Sequence, residues 1–210
     1  MLHLYITRHG ETEWNTQNKM QGWGDSALTE KGINEAKALA QRLNDVEFDL
    51  IYTSPSGRTL ETAHILNTFH ELPIMKNEHL KEINVGSWEG KTFAWIEEHY
   101  PVEFNAFFHK PLQFESIGGE SFQQLKERVH TFMEDLKLKH QQGNILIVTH
   151  AVVIKMLLIY FKERTLAELW NPPFIEGTSL TQIQMNTATT KIILEGNTEH
   201  LLTIGHQKGD

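Results

Sequence analysis

Asn144-Ile145-Leu146-Ile147-Val148-Thr149, followed at once by His150-Ala151 and then by the apolar run over residues 152–161, is the stretch on which the fold turns. Four consecutive large aliphatics bounded by a glycine-led turn read as a strand buried on both faces, because a strand covered on one face alternates apolar with polar. The run behind it is long enough for a helix. A buried strand feeding a helix is the opening of a βαβ unit, which implies a parallel sheet with helices packed on it.

Working outward, the same alternation recurs. Residues 2–7 (LHLYIT) and 48–53 (FDLIYT) read as strands, and 72–75 as a weaker one. Thr29 is placed to cap a helix to about Asn44, whose apolar stripe is Ile33, Ala36, Ala40 and Leu43. Ser54-Pro55-Ser56 opens a second helix over about 57–70. Ser121-Phe122-Gln123-Gln124 is a capping-box pattern for a third, to about Gln142. Residues 179–185 and 191–194 read as two antiparallel strands joined by a turn at 186–189. Residues 84–118 are expected to be irregular, with one short helix near 92–99 that stops at Pro101. The prediction is an α/β fold, a three-layer αβα sandwich around a mostly parallel sheet. With no repeat or linker, residues 1–210 are expected to form one domain, carrying an aromatic-rich flap at about 84–118.

The formal net charge of −8 argues against a general nucleic-acid binder, which needs a basic face. No apolar run nears the ~20 residues that cross a bilayer, so no membrane partner is expected. MLHLYITRHG lacks the basic start of a secretory signal, and a cytoplasmic protein is expected. The absence of cysteine excludes disulfides and thiolate metal sites. Twelve histidines are present, but there is no HExxH pair or matching acidic cluster, so neither metal nor cofactor is expected.

In an open α/β sheet, ligands bind beyond the carboxyl ends of the strands. Those positions hold Arg8-His9-Gly10-Glu11-Thr12, Ser54-Pro55-Ser56-Gly57-Arg58 and His150-Ala151. Taken singly, His150 reads as an ordinary loop histidine and Arg58 as a solvated cation at a helix start. Together, two of only five arginines and two histidines at three strand ends describe an anion site. A neutral imidazole can attack phosphorus. Phosphoryl transfer needs mainly positioning and charge neutralisation, which paired guanidinium forks supply. Gly10 would permit close backbone approach, and the helix after Ser56 would offer free N–H groups.

Arg8-His9-Gly10-Glu11-Thr12-Glu13-Trp14-Asn15 closely resembles the RHGET-xWN signature of the histidine phosphatase superfamily, the phosphoglycerate-mutase-like proteins. The resemblance continues through Gln21-Gly22, Leu28-Thr29 with Gly32, Thr53-Ser54-Pro55 with Arg58, Glu61-Thr62-Ala63, residues 80–90, Gly119-Glu120-Ser121 and Val148-Thr149-His150-Ala151. It implies that His9 is the nucleophile, with Arg8, Arg58 and His150 completing a phosphate pocket. It implies that Asn15 and the Gln21-Gly22 segment contact phosphate or substrate oxygens. It places Glu82 at the proton-donor position, a choice the residues alone leave open among Glu11, Glu78, Glu82 and Glu89. No metal or nucleotide is implied, and the family's fold agrees with the αβα reading.

Phosphatase and mutase share these groups. Glu82 and His150 stand only 68 positions apart, a short interval beside the mutases this chain resembles, and this favours a phosphatase. Between Trp88 and Phe114 lie eight of the chain's 20 aromatics, which could pack a flap core or wall the substrate site, with Trp14 and Trp23 joining that wall. The leading expectation is metal-independent hydrolysis of a small-molecule phosphate ester by an acid-type phosphatase, monomeric or homodimeric. The alternatives are a phosphoglycerate mutase, a phosphatase dedicated to one metabolite such as a sugar bisphosphate or ribazole phosphate, and an inactive phosphate-binding scaffold.

Overall fold

A computed structural model describes residues 1–206 of the chain, so the last four residues of the expected 1–210 domain lie outside it. Six strands form one sheet in the order β3-β2-β4-β1-β5-β6. They are β1 (Leu2–Arg8), β2 (Leu50–Thr53), β3 (Ile74–Lys76), β4 (Gly143–Thr149), β5 (Leu180–Met185) and β6 (Thr190–Asn197). The first four run parallel; β5 is antiparallel to β1, and β6 to β5.

Side chains alternate across a strand, so β4 feeds two cores at once. Ile145 and Ile147 join Leu4 and Ile6 beneath α6 (Phe122–Lys139) and α7 (Ala151–Phe161). Leu146 and Val148 face Leu39, Leu43, Ala63 and Leu66, from α2 (Glu30–Leu43) and α3 (Gly57–Leu66). The three-layer αβα prediction therefore holds. Both predicted caps form: Thr29 accepts from the Gly32 N–H, and Ser121 and Gln124 make the reciprocal box.

Three expectations change. The helix predicted to reach residue 70 ends at Leu66, because the Asn67 side chain bonds both backbone groups of Leu72 (2.8 and 2.9 Å) and turns the chain through a 3-10 turn at Asn67–Phe69. The 72–75 strand is the short edge strand β3, shifted to begin at Ile74. Pro101 does end α4 (Phe93–His99), but it also opens a second helix, α5 (Pro101–His109). Proline lacks only an N–H that a first helical position leaves unpaired anyway. The 84–118 flap is thus more helical than predicted.

Register brings the strand ends level: Arg8 lies opposite Thr149, and Thr53 opposite Val148. The next residues stay hydrogen-bonded across the edge, the His9 N–H to the Thr149 carbonyl (3.0 Å) and the Ser54 N–H to that of Val148 (3.1 Å). One rim therefore presents His9, Ser54 and His150.

Candidate active site

His9 is buried, and its Nδ1 lies 2.8 Å from its neighbour Gly10's carbonyl oxygen. Its Nε2 lies 3.2 Å from Nε of Arg58, a group that can only donate. Both contacts require the same tautomer, with the proton on Nδ1 and a lone pair on Nε2. Arg58 also donates through Nη2 to Nδ1 of His150 (3.1 Å), whose Nε2 faces the Ser54 hydroxyl at 2.8 Å. Both imidazoles are therefore held neutral, and burial followed by the Arg58 charge depresses both pKa values well below 6.5.

Arg58 sits in the first turn of α3, essentially without solvent contact. Its remaining N–H groups bind the Gly24 carbonyl (2.7 Å), the Gly22 carbonyl (2.8 Å) and the Asp25 carboxylate (3.0 Å). Asp25 also accepts the Arg58 backbone N–H (3.3 Å). The anion at this helix start is thus the protein's own carboxylate, where the sequence suggested N–H groups free for a ligand. Gly10 likewise serves the fold: a Cβ there would stand 2.4 Å from the Gly32 carbonyl, so the tight approach is between the first loop and α2.

Arg8 leaves β1 toward a cavity of about 630 Å³ that it shares with His9, Asn15, Gln21 and Glu82. Its Nη1 donates to the Ile175 carbonyl (3.0 Å), while Nε is buried with no partner among the described residues. An unpartnered guanidinium N–H on a side chain that lines the same cavity as His9 is suited to an incoming anion.

Of the four candidate carboxylates, Glu82 alone lines the cavity. It accepts the Ile83 N–H (2.9 Å) and the Val152 N–H at the start of α7 (3.1 Å). Burial raises its pKa, against these hydrogen bonds and the charges of Arg58 and Arg8. Glu11 pairs with Lys31, Glu78 with Lys81, and Glu89 holds the N–H groups of Gly22 and Trp23.

Asn15, on the one-turn helix α1 (Glu13–Thr16), and Gln21 reach the cavity, each with its amide oxygen 3.0 Å from the Thr12 hydroxyl. Gly22 does not: its N–H is taken by Glu89 and its carbonyl by Arg58, so it supports Arg58 instead of facing substrate.

The aromatic segment divides. Trp88 and Phe114 are core, packed with Phe107 and Phe122, whereas Phe93, Phe107 and Phe108 face the cavity. Trp14 and Trp23 stay off that wall; Trp23 is 47% exposed and donates its indole N–H to the Glu82 carbonyl (3.0 Å).

Sequence reasoning missed the opposite wall, formed by Lys155, Trp170, Pro172, Phe174 and Ile175. Lys155 donates to the carbonyls of Asn171 and Pro173. One cation inside the apolar helix AVVIKMLLIYF was the available signal. Among the described residues, no group of three or more His, Asp or Glu is arranged to hold a metal ion.

A neutral histidine bonded to one guanidinium, sharing a cavity with a second and with a buried carboxyl, is suited to moving a phosphoryl group, and comparison with known proteins defines the class. The family model of the histidine phosphatase superfamily (branch 1) matches residues 4–198, and the chain belongs to that family. Phosphoserine phosphatase 1 of Hydrogenobacter thermophilus is 33% identical over 171 residues, 81% of each chain. The solved structure of Bacillus stearothermophilus YhfR superposes with a TM-score of 0.93 at 43% identity, covering 96% of this chain and all of that one. The phosphoglycerate mutase of Bacillus anthracis gives 0.80 at 26% identity, covering 96% and 95%, so the fold is phosphoglycerate-mutase-like.

Proposed function

We propose that this chain hydrolyses small phosphate monoesters through a phosphohistidine on His9, as an acid-type phosphatase. The observation that carries this reading is the tautomer of His9: Nδ1–H is held by Gly10, so the lone pair is on Nε2, beside the Arg58 guanidinium, on a side chain that lines one cavity with Arg8. The ester phosphorus approaches Nε2, and Arg8 takes a phosphoryl oxygen. As the lone pair attacks, the Nε–H of Arg58 loses its acceptor and turns to a second oxygen. His150, neutral and in contact with the same guanidinium, offers its Nε2–H as a further donor. Charge on the equatorial oxygens is thereby met where it develops.

Glu82, protonated in its buried site, gives its proton to the departing alkoxide. Its carboxylate then takes a proton from water, which attacks the phosphohistidine; inorganic phosphate leaves and His9 is regenerated. Asn15 and Gln21 supply amide groups to substrate oxygens, while Gly22 acts through Arg58. Phe93, Phe107, Phe108 and Trp170 offer an apolar wall for the alcohol, which supports a broad range of esters with bulky groups.

The short interval between Glu82 and His150 supports hydrolysis over phosphate shuffling. One six-stranded sheet and one family match support residues 1–210 as a single domain. Residence in the cytoplasm, a monomeric or homodimeric state and the absence of a nucleic-acid partner belong to the same proposal; fractionation, sizing and a binding assay read them.

The test is a panel of phosphate esters, including phosphoserine and aryl phosphates, assayed with and without a chelator. Phosphate release that survives the chelator and is lost in His9→Ala is expected. Isomerisation of 3-phosphoglycerate with little phosphate release would replace the proposal with a mutase.

A further inference from the structure

Arg128, in α6, stands outside the machinery just described, yet every N–H of its guanidinium is committed. Nη1 donates to the carbonyls of His79 (2.7 Å) and Lys81 (2.8 Å). Nη2 reaches the carbonyl of Glu82 (3.2 Å), and Nε and Nη2 grip the Glu120 carboxylate side-on at 2.9 and 2.8 Å. The remaining carbonyl of this stretch, that of Leu80, accepts from the Thr149 hydroxyl (2.7 Å). Four consecutive carbonyls, from residue 79 to residue 82, therefore each end on a donor from another part of the chain.

Glu120 extends the clamp past Glu82. Its carboxylate accepts the Asn84 N–H (2.9 Å), and its own N–H donates to the Asn84 carbonyl (2.8 Å). The two segments lie so close that a Cβ on Gly119 would stand 2.1 Å from the Asn84 carbonyl. The pair is well shielded, with side-chain exposures of 14% for Arg128 and 16% for Glu120.

Such a concentration of bonds falls on a segment that most needs it. Residues 81–85 belong to no strand or α-helix, so no ladder holds them. A group that must pass a proton works only within hydrogen-bond reach of the leaving oxygen, and an error of ~1 Å costs about a hundredfold. A planar fork with five donors can bind several carbonyls and a carboxylate at once; an ammonium cannot.

We infer that Arg128 and Glu120 form a positioning pair that holds the backbone of residues 79–84 so that the Glu82 carboxyl meets the leaving-group oxygen. The pair touches neither substrate nor the reacting atoms. The inference rests on the assignment of Glu82 as proton donor, and the test separates the two.

Proton donation matters in proportion to the basicity of the leaving alcohol. An aryl phosphate with an acidic phenol leaves without help, whereas an alkyl phosphate does not. The experiment compares kcat/KM, which reports phosphoryl transfer to His9, for p-nitrophenyl phosphate and glycerol phosphate in wild type, Glu82→Gln, Arg128→Gln and Glu120→Gln. Inhibition by inorganic phosphate and thermal melting are measured alongside. The expectation for Arg128→Gln is a loss of about thirtyfold to a hundredfold on the alkyl ester and about threefold or less on the aryl ester, with phosphate inhibition unchanged. Glu82→Gln should show the same selectivity more strongly, and Glu120→Gln more weakly.

Equal losses on both esters in a folded Arg128→Gln protein, while Glu82→Gln remains selective, would reduce the pair to a structural brace and overturn the inference alone. Should Arg128→Gln fail to fold, Glu120→Gln, which keeps the shape of its partner, decides by the same comparison. A Glu82→Gln enzyme indifferent to leaving group would remove the donor assignment and the inference together.

Discussion

Arg58 spends five N–H groups inside the protein, two of them on histidine lone pairs. Lysine in its place keeps the charge but cannot bridge two imidazoles and two carbonyls. Arg58→Lys should therefore lower kcat/KM by about a hundredfold or more, read by steady-state assay. The titrating pair gives a second prediction. Activity needs His9 neutral and Glu82 protonated; burial lowers the first and raises the second. The rate then falls as pH rises through the elevated value of Glu82 and, separately, as pH falls through the depressed value of His9. A bell-shaped kcat/KM profile bounded by these two groups is expected, and Glu82→Gln should lose the alkaline limb. At this scale the strand-end residues were legible in the sequence: Arg58 bonds both His9 and His150, and Arg8 shares a cavity with His9, whereas Glu82 was singled out only by the family resemblance. Gly22 was not legible, because a glycine's spacing does not say whether its backbone groups face a ligand or, as here, Glu89 and Arg58.

Among the elements, strands and caps were readable because they depend on local pattern. β4 needed only its aliphatic run, and the Ser121–Gln124 box only a three-residue spacing. The flap was harder, since Pro101 ends one helix and starts the next, and composition does not reveal which ring faces which way. The wall beyond Lys155 was hidden because its residues come from a connecting segment with no periodicity. Phe107 and Phe93 separate packing from function. Phe107 is 2% exposed and touches Trp88, Phe114, Phe122 and Trp170, so Phe107→Ala should cost about 3–5 kcal/mol in chemical denaturation. Phe93 is 37% exposed at the cavity mouth. Phe93→Ala should leave stability nearly unchanged and raise KM for bulky aryl esters relative to glycerol phosphate.

For the whole molecule, a chain of net charge −8 gathers Arg8, Lys19 and Lys155 around one cavity, with Arg58 behind it holding His9 uncharged. That arrangement has a stability consequence. His9, His140, His150 and His200 all have native pKa values lowered by burial, that of His200 to about 4. Below their ordinary value of 6.5 the unfolded chain binds protons that the native state refuses, so stability falls as pH drops. Glu82 and Glu35 act oppositely: burial raises both, so each retains its proton above 4.5 in the native state, which favours folding until pH climbs through its raised value. Four histidines outweigh two carboxyls. The melting temperature should therefore rise between about pH 5 and about pH 7, and His150→Gln should flatten that slope.

The most direct measurement is to quench the enzyme in alkali during turnover of a phosphate ester and locate the bound phosphoryl group by peptide mass spectrometry. An acid-labile, base-stable phosphoryl group is expected on the peptide containing His9, absent from His9→Asn. Turnover with no phosphorylated peptide under conditions that preserve phosphohistidine, or full turnover by His9→Asn, would contradict it.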